Sequence, residues 1–341
     1  MLSVRDFWRR HKRKILISAG VVGTGYALYK FYESHRHKLF DLERQLVRER
    51  ADEELVKAQM QAHFNSVQAI AETITLPHAI HLVSGRIAQE LDHSNLIEAL
   101  DKSRSKQSKA EILELWGALK VLSFSKLVVS LWALTILTLY IRVKVNIVGR
   151  YLYIDIAQRL QTSNFLEDQE PGEWDEQQKF LSGVNYLSKN GLPGLISSFN
   201  SVVSETLKGK QLRDSLTAAS LCDLIMQMLD LFSGTRQWMY FLMAHDEESP
   251  LVAEARVVLA SEEFAEVARS CFQVLVESVV RDIVEQFPDN GVPLAKLLPR
   301  VAQMASPLLD GESISRYVDM IRGVPLVEPF FTVLYANVLP L

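Results

Sequence analysis

From Ala110 to Leu160 the chain contains no proline and only two glycines, Gly117 and Gly149. Within that stretch, Leu127 to Ile141 is a run of 15 residues without a formal charge, bracketed by Lys126 and Arg142. Such a run is too long for an ordinary strand and apolar on every helical face. It is also shorter than the ~20 residues that cross a bilayer comfortably. A central helix buried on all sides by other helices satisfies both limits, and a second membrane span is the alternative. Ser125, Ser130, Thr135 and Thr138 lie within or beside the run, and Lys144 and Arg150 follow closely. Val143 to Val148 alternates like a strand, but no partner strand is evident elsewhere, so the helical reading extends through it.

The rest of the body repeats the helical pattern. Met60, Phe64, Val67, Ile70 and Ile74 recur at helical spacing, and Pro77 reads as the end of that element. Helices are expected over Val252–Leu259 and Phe264–Phe287, with Ser261 capping the second ahead of Glu262 and Glu263. Breaks fall near Gly191-Leu-Pro, Gly209, Gly234, Ser249-Pro, Pro288-Asp-Asn-Gly, Pro307 and Gly323. No repeat of 20–50 residues and no clear linker divides the chain. The expected fold class is all-α: an N-terminal transmembrane helix followed by a large helical bundle around a long buried helix. Hydrophobic residues make up 48% and charged residues 23%, which excludes a disordered chain.

Charge is unevenly placed. Residues 1–50 hold 12 Lys and Arg against 5 Asp and Glu, whereas the remainder holds 25 against 36. A basic head on an acidic body points to a targeting or membrane element, not to a nucleic-acid binder. Arg9, Arg10, Lys12, Arg13 and Lys14 precede Ile15–Tyr29, which carries no charge. Lys14 and Lys30 can hold their ammonium groups at the two interfaces, and Tyr26, Tyr29, Phe31 and Tyr32 form an aromatic belt. A secretory signal would need a small-residue cleavage site, which Tyr-Ala-Leu-Tyr-Lys-Phe-Tyr does not supply. An uncleaved anchor over residues 15–33 fits best, with a short basic tail (1–14) before it and a large all-α body (34–341) after it.

Chemistry-bearing motifs are sparse. Gly20, Gly23 and Gly25 lack the strand and the Gly-Lys-Ser/Thr that a phosphate loop requires. His78 and His81 are spaced as a metal pair but have no third ligand at a supporting offset. Cys222 and Cys271 sit in apolar helical patterns and read as inert core thiols of a reducing compartment. There is no nucleophile elbow, zincin or kinase signature. No enzyme activity, cofactor, metal, nucleic acid or small-molecule substrate is expected.

One segment suits partner binding. Ile112, Leu113, Trp116, Leu119 and Lys120 share a helical face directly after the basic stretch 102–110, and Leu96 and Leu100 lie on a short amphipathic segment before it. Together they could shape a groove for an incoming amphipathic helix, with Trp116 at its centre; on spacing alone ordinary core is the preferred reading of Trp116.

Four stretches in this order resemble the peroxin-3 family of peroxisomal biogenesis factors, in its plant-like form. They are Phe7-Trp-Arg-Arg-His-Lys-Arg-Lys with the apolar run after it, Leu115-Trp-Gly-Ala-Leu-Lys-Val-Leu-Ser-Phe, Ile141-Arg-Val-Lys-Val-Asn-Ile-Val-Gly149 and Val292-Pro-Leu-Ala-Lys-Leu-Leu-Pro299. The resemblance spans nearly the whole chain. It implies a non-enzymatic docking receptor in the peroxisomal membrane, single-pass, with the N-terminal tail in the matrix and the all-α domain in the cytosol. It implies as partner an amphipathic N-terminal helix of peroxin-19, a chaperone and import receptor for peroxisomal membrane proteins, along with the membrane lipid itself. Trp116 would anchor that helix, with Leu113, Leu119 and Lys120 beside it, Leu96 and Leu100 as further apolar positions and Lys296 at the groove's edge. Where many members place a lysine four residues before the tryptophan, this chain has Ile112. The matrix-side tail runs against the positive-inside rule, and the basic cluster Arg9–Lys14 is then read as a targeting element that binds a carrier or anionic lipid. Two rivals are a mitochondrial outer-membrane adaptor with the same anchor logic and a membrane-bound enzyme whose site carries no recognised motif.

Overall fold

The uninterrupted run becomes one helix. The computed structural model describes residues 53–103, 109–162, 171–244, 249–285, 291–309 and 313–336. The expected tail and anchor, with Arg9, Arg10, Lys12, Arg13 and Lys14, lie outside these residues. Helices α1 (Glu53–Ile70), α2 (Leu76–Glu90) and α3 (Ser94–Ser103) lead to α4 (Lys109–Thr162), whose 54 residues extend about 80 Å. After it come α5 (Pro171–Ser182), α6 (Leu192–Thr206), α7 (Ala218–Ser233), the short α8 (Met239–Leu242), α9 (Pro250–Ala260) and α10 (Glu262–Val284). The chain closes on α11 (Leu294–Leu308), α12 (Ser313–Arg322) and α13 (Val327–Ala336). The described sheet is a single two-residue pair, β1 (Ser215–Leu216) antiparallel to β2 (Val292–Pro293). The fold is all-α.

Every residue from Leu127 to Arg150 is buried, because α1, α2, α3, α6, α9, α10, α11 and α13 all pack around α4. This is a core helix whose apolar surface is covered by the chain's own helices on every side, as periodicity requires of a helix with no polar face. Thr135 and Thr138 donate back to the carbonyls of Leu131 (2.9 Å) and Leu134 (2.7 Å), so their hydroxyls are satisfied without a partner helix. Trp132 meets Phe232 and Trp238 edge-on, and Phe199 stacks on Phe232 at 3.8 Å between ring centres. Ser261 caps α10 by accepting from the Phe264 amide at 3.1 Å, where the sequence places it.

Pro77 does not end its element. The helix runs on from α1 to α2 through a π-turn, Ala71–Thr75, and the Leu76 amide donates to the carbonyl of Ala71, five residues back. Proline has no N–H and its ring crowds the carbonyl four residues earlier. Widening one turn to five-residue spacing removes that conflict while keeping the helix axis. The same solution recurs at Leu187–Gly191, followed by Leu192-Pro193 at the start of α6.

The polar residues of Ile141–Gly149, together with Arg150, brace this arrangement from inside. Arg142 donates to Gln68 and to Glu328, both at 2.7 Å, and lies 4.3 Å over the Phe331 ring. It thereby ties α1 to α13. Glu72, carried inward by the π-turn, stands 4.0 Å from Arg142 and 3.3 Å from Arg322. Burial pushes the Glu72 carboxyl up, and the two guanidinium groups pull it back. Lys144 donates to the carbonyl of Phe180 at the end of α5, with its ammonium 4.5 Å from the Phe180 ring. Arg150 pairs with Glu254 of α9 and donates to the carbonyl of Leu334 at 3.2 Å. Cations buried in α4 therefore hold α1, α5, α9 and α13 in register.

Candidate partner-binding face

The N-terminal turns of α4 stand at one end of the molecule. His63 of α1 packs near Tyr153 of α4, Val67 lies against Gly149, and Gln68 bonds Arg142, so α1 and α4 are antiparallel. α1 therefore begins, at Glu53, beside the C-terminal part of α4. Trp116 lies 37 residues away along that helix, about 55 Å.

At about 100° per residue, Leu113 and Lys120 lie about 60° and about 40° round the helix from Trp116. These three make one edge. Leu113 is 67% exposed, while Trp116 is half-buried against the core. An exposed leucine beside a partly covered tryptophan gives this edge apolar surface that a partner helix could cover. Leu119 is half-buried on the far flank of Trp116. Lys120 is half-buried too, and its ammonium donates to the carbonyls of Lys210 (2.7 Å) and Leu207 (3.3 Å). The Leu207 carbonyl closes the C-terminal end of α6, where a cation is favoured by the helix dipole, and the Lys210 carbonyl belongs to the loop that follows. Burial holds Lys120 below the usual lysine range, and the Asp214 carboxylate partly restores it.

The opposite side of the same turns, about 100–240° from Trp116, faces an open groove of about 720 Å³. Leu96 of α3, Gly117, Ala118, Val121 and Leu122 form its apolar wall, and Ser197, Asn200, Ser201 and Ser204 of α6 its polar wall. The structure therefore separates what spacing alone grouped. Leu96 lines this groove; Trp116, Leu113, Leu119 and Lys120 do not. Leu100 is half-buried on α3, and Ile97 beside it is 50% exposed. Lys296 is exposed at the first turn of α11, which reaches the same end because Ala295 donates to the carbonyl of Leu212 at 2.9 Å. The loop 207–214 that joins Lys120 to Lys296 carries no periodic signal, and only its density of Lys and Arg marks it in the sequence.

His93 is buried just ahead of α3. Its imidazole is held below the usual histidine range by burial first and by the nearby Lys126 ammonium second. His78 and His81 are exposed on α2, and among the described residues no three His, Cys, Asp or Glu side chains converge. Burial pushes the Cys271 thiol up to about 12, leaving it protonated and unreactive.

The Peroxin-3 family profile matches residues 89–238, the span that holds α3, α4, α6 and Trp116. Peroxisome biogenesis protein 3-1 of Arabidopsis thaliana is 42% identical over 352 residues, covering 98% of each chain. The chain belongs to the peroxin-3 family. Peroxisome biogenesis protein 3-2 of the same plant is also 42% identical, again over 98% of both chains. The human Peroxisomal biogenesis factor 3 is 26% identical over 378 residues, 98% of this chain and 96% of its own. Membership of the peroxin-3 family carries a role in peroxisome biogenesis, and these peroxin-3 relatives are named as biogenesis factors, not as enzymes.

Proposed function

We propose that the chain is a docking receptor of the peroxisomal membrane for peroxin-19. Residues 15–33 anchor it, residues 1–14 lie in the matrix, and residues 34–341 face the cytosol. An amphipathic helix at the N-terminus of peroxin-19 lays its apolar side over Trp116 and Leu113. Cargo membrane protein is then released close to the bilayer. The observation that carries this reading is the placement of Trp116. A half-buried tryptophan beside an exposed leucine stands about 55 Å along α4 from the end near which α1 begins. A receptor built this way offers its docking edge to the cytosol and not to its own membrane.

The test is complementation. In cells lacking their own peroxin-3, the chain should restore peroxisomal puncta and the insertion of peroxisomal membrane proteins. Trp116→Ala should reach the same membrane yet fail to restore insertion. Full rescue by that variant would move the docking edge elsewhere, and failure of the unaltered chain to reach peroxisomes would count against the receptor reading itself.

A further inference from the structure

The loop from Leu207 to Asp214 carries Lys208, Lys210 and Arg213, all exposed, against a single acid, Asp214. It lies between the Trp116 edge and Lys296, another exposed cation. This is unusual for its surroundings: residues 51–341 hold 25 Lys and Arg against 36 Asp and Glu. The acids of the first turns of α4 do not offset it. Glu114 and Glu111 lie about 160° and about 220° round the helix from Trp116, on the side of the open groove. Glu205 pairs with Lys208 at 3.5 Å and offsets part of its charge, which leaves Lys210 and Arg213 as the least compensated cations of the loop.

The loop is also built to hold its shape. Gly209 adopts φ +84°, a conformation that L side chains rarely take. The Asp214 carboxylate accepts from the Gln211 amide at 2.7 Å, closing the turn. Ser215 and Leu216 pair with Pro293 and Val292, and Leu294 donates to the Asp214 carbonyl at 2.9 Å. Lys120 donates to the Leu207 and Lys210 carbonyls from the α4 side. The three basic side chains are left outermost on a fixed backbone beside an exposed leucine and a half-covered tryptophan.

We propose that this loop is an electropositive rim that selects an acidic partner helix. The occupant is an amphipathic helix whose apolar side meets Leu113 and Trp116 and whose carboxylates lie toward Lys208, Lys210, Arg213 and Lys296. The proposal rests on the docking edge assigned above. The acidic body repels acidic chains in most orientations, and the rim attracts them in one. That is how complementary charge raises association rate and fixes register, with less influence on dissociation. Lys120 is not a steering charge; it holds the loop.

The experiment is stopped-flow binding of a synthetic N-terminal segment of peroxin-19 to the full chain in detergent micelles, from low to high salt. The variants are Lys208→Gln/Lys210→Gln/Arg213→Gln, Trp116→Ala, and a charge-matched control, Lys189→Gln/Arg236→Gln/Arg269→Gln. Arg236 and Arg269 sit toward the far end of α7 from β1, and Arg269 bonds Asp230 there. At low salt the loop variant should associate about tenfold more slowly, with dissociation changed less than twofold. High salt should erase the difference, and the control should associate within about twofold of the unaltered chain. An unchanged association rate in the loop variant, with Trp116→Ala still speeding dissociation, would overturn the rim and leave the docking edge standing. An equal effect of the control would also overturn it, because net charge would then suffice. If neither Trp116→Ala nor the loop variant alters binding, the docking edge falls and the rim with it.

Discussion

Arg150 and Glu254 offer the sharpest test of how α4 organises the fold. Their side chains are 7% and 8% exposed, so each ion has almost no water of its own. When Glu254 is removed, Arg150 keeps the Leu334 carbonyl and the Tyr151 ring, 5.5 Å away, among its other contacts. Removing one member of a buried pair leaves the other desolvated without the carboxylate it faced, which costs about 3–5 kcal/mol. Replacing both with apolar residues of similar volume removes the desolvation penalty along with the attraction, and is often close to neutral. Glu254→Leu should therefore destabilise residues 53–341 by about 3–5 kcal/mol, lowering the melting temperature by roughly 6–10 °C at a chain size where 1 kcal/mol is worth about 2 °C. Arg150→Met/Glu254→Leu should fall within about 1 kcal/mol of the unaltered chain. Arg269 and Asp230 provide the contrast. Their side chains are 62% and 41% exposed, so breaking that pair should cost less than about 1 kcal/mol. Urea unfolding followed by circular dichroism at constant m-value reads all three. A double variant as unstable as Glu254→Leu would refute the argument, since packing and not charge would then be at stake. So would a Glu254→Leu effect no larger than that of the surface pair.

Other consequences are measurable in the same way. A β-carbon at Gly191 would stand 2.0 Å from the Phe241 carbonyl oxygen, so Gly191→Ala should cost about 3 kcal/mol by forcing α8 off its seat. Gly85, in α2, has nothing within 4 Å of that position, so Gly85→Ala should stabilise by about 0.5–1 kcal/mol. His93 sits below the usual histidine range in the fold, so the unfolded chain binds its proton first. Its contribution to stability is therefore lost as pH falls through and below the ordinary histidine range, and His93→Gln should flatten that part of the stability–pH curve relative to the unaltered chain. A fluorescent fusion of residues 1–45 should mark peroxisomal puncta in cells; mitochondrial rings without puncta would favour the adaptor reading of the anchor.

The parts of this fold that were legible in the sequence are those set by local periodicity. The run Leu127–Ile141 reads as a helix, with burial on every side preferred over a second membrane span, and Ser261 ahead of two glutamates reads as a helix start. Pro77 misled, because a π-turn keeps the apolar spacing on both sides while a proline reads as a stop. The buried cations were visible but their purpose was not. Arg142 and Arg150 find their partners at Gln68, Glu254, Glu328 and Leu334, and no spacing rule reaches across such separations. The proposed docking edge divides in the same way. Leu113, Trp116 and Lys120 share a face by arithmetic alone. That Leu96 turns to the other side of α4, and that loop 207–214 arrives beside Lys120, depends on tertiary contacts that leave no pattern in the chain.

The measurement closest to the central claim is a calorimetric titration of residues 38–341 with the N-terminal segment of peroxin-19, using the unaltered fragment, Trp116→Ala and Leu113→Glu. Leu113 is mostly exposed, so its substitution leaves the fold intact and guards against reading instability as lost binding. The account predicts saturable 1:1 binding, weakened by at least ~2 kcal/mol, about 30-fold in Kd, when the Trp116 ring is removed. Leu113→Glu should weaken it as well, at an unchanged melting temperature. Binding of undiminished affinity by both variants, or no binding by a demonstrably folded fragment, would contradict it.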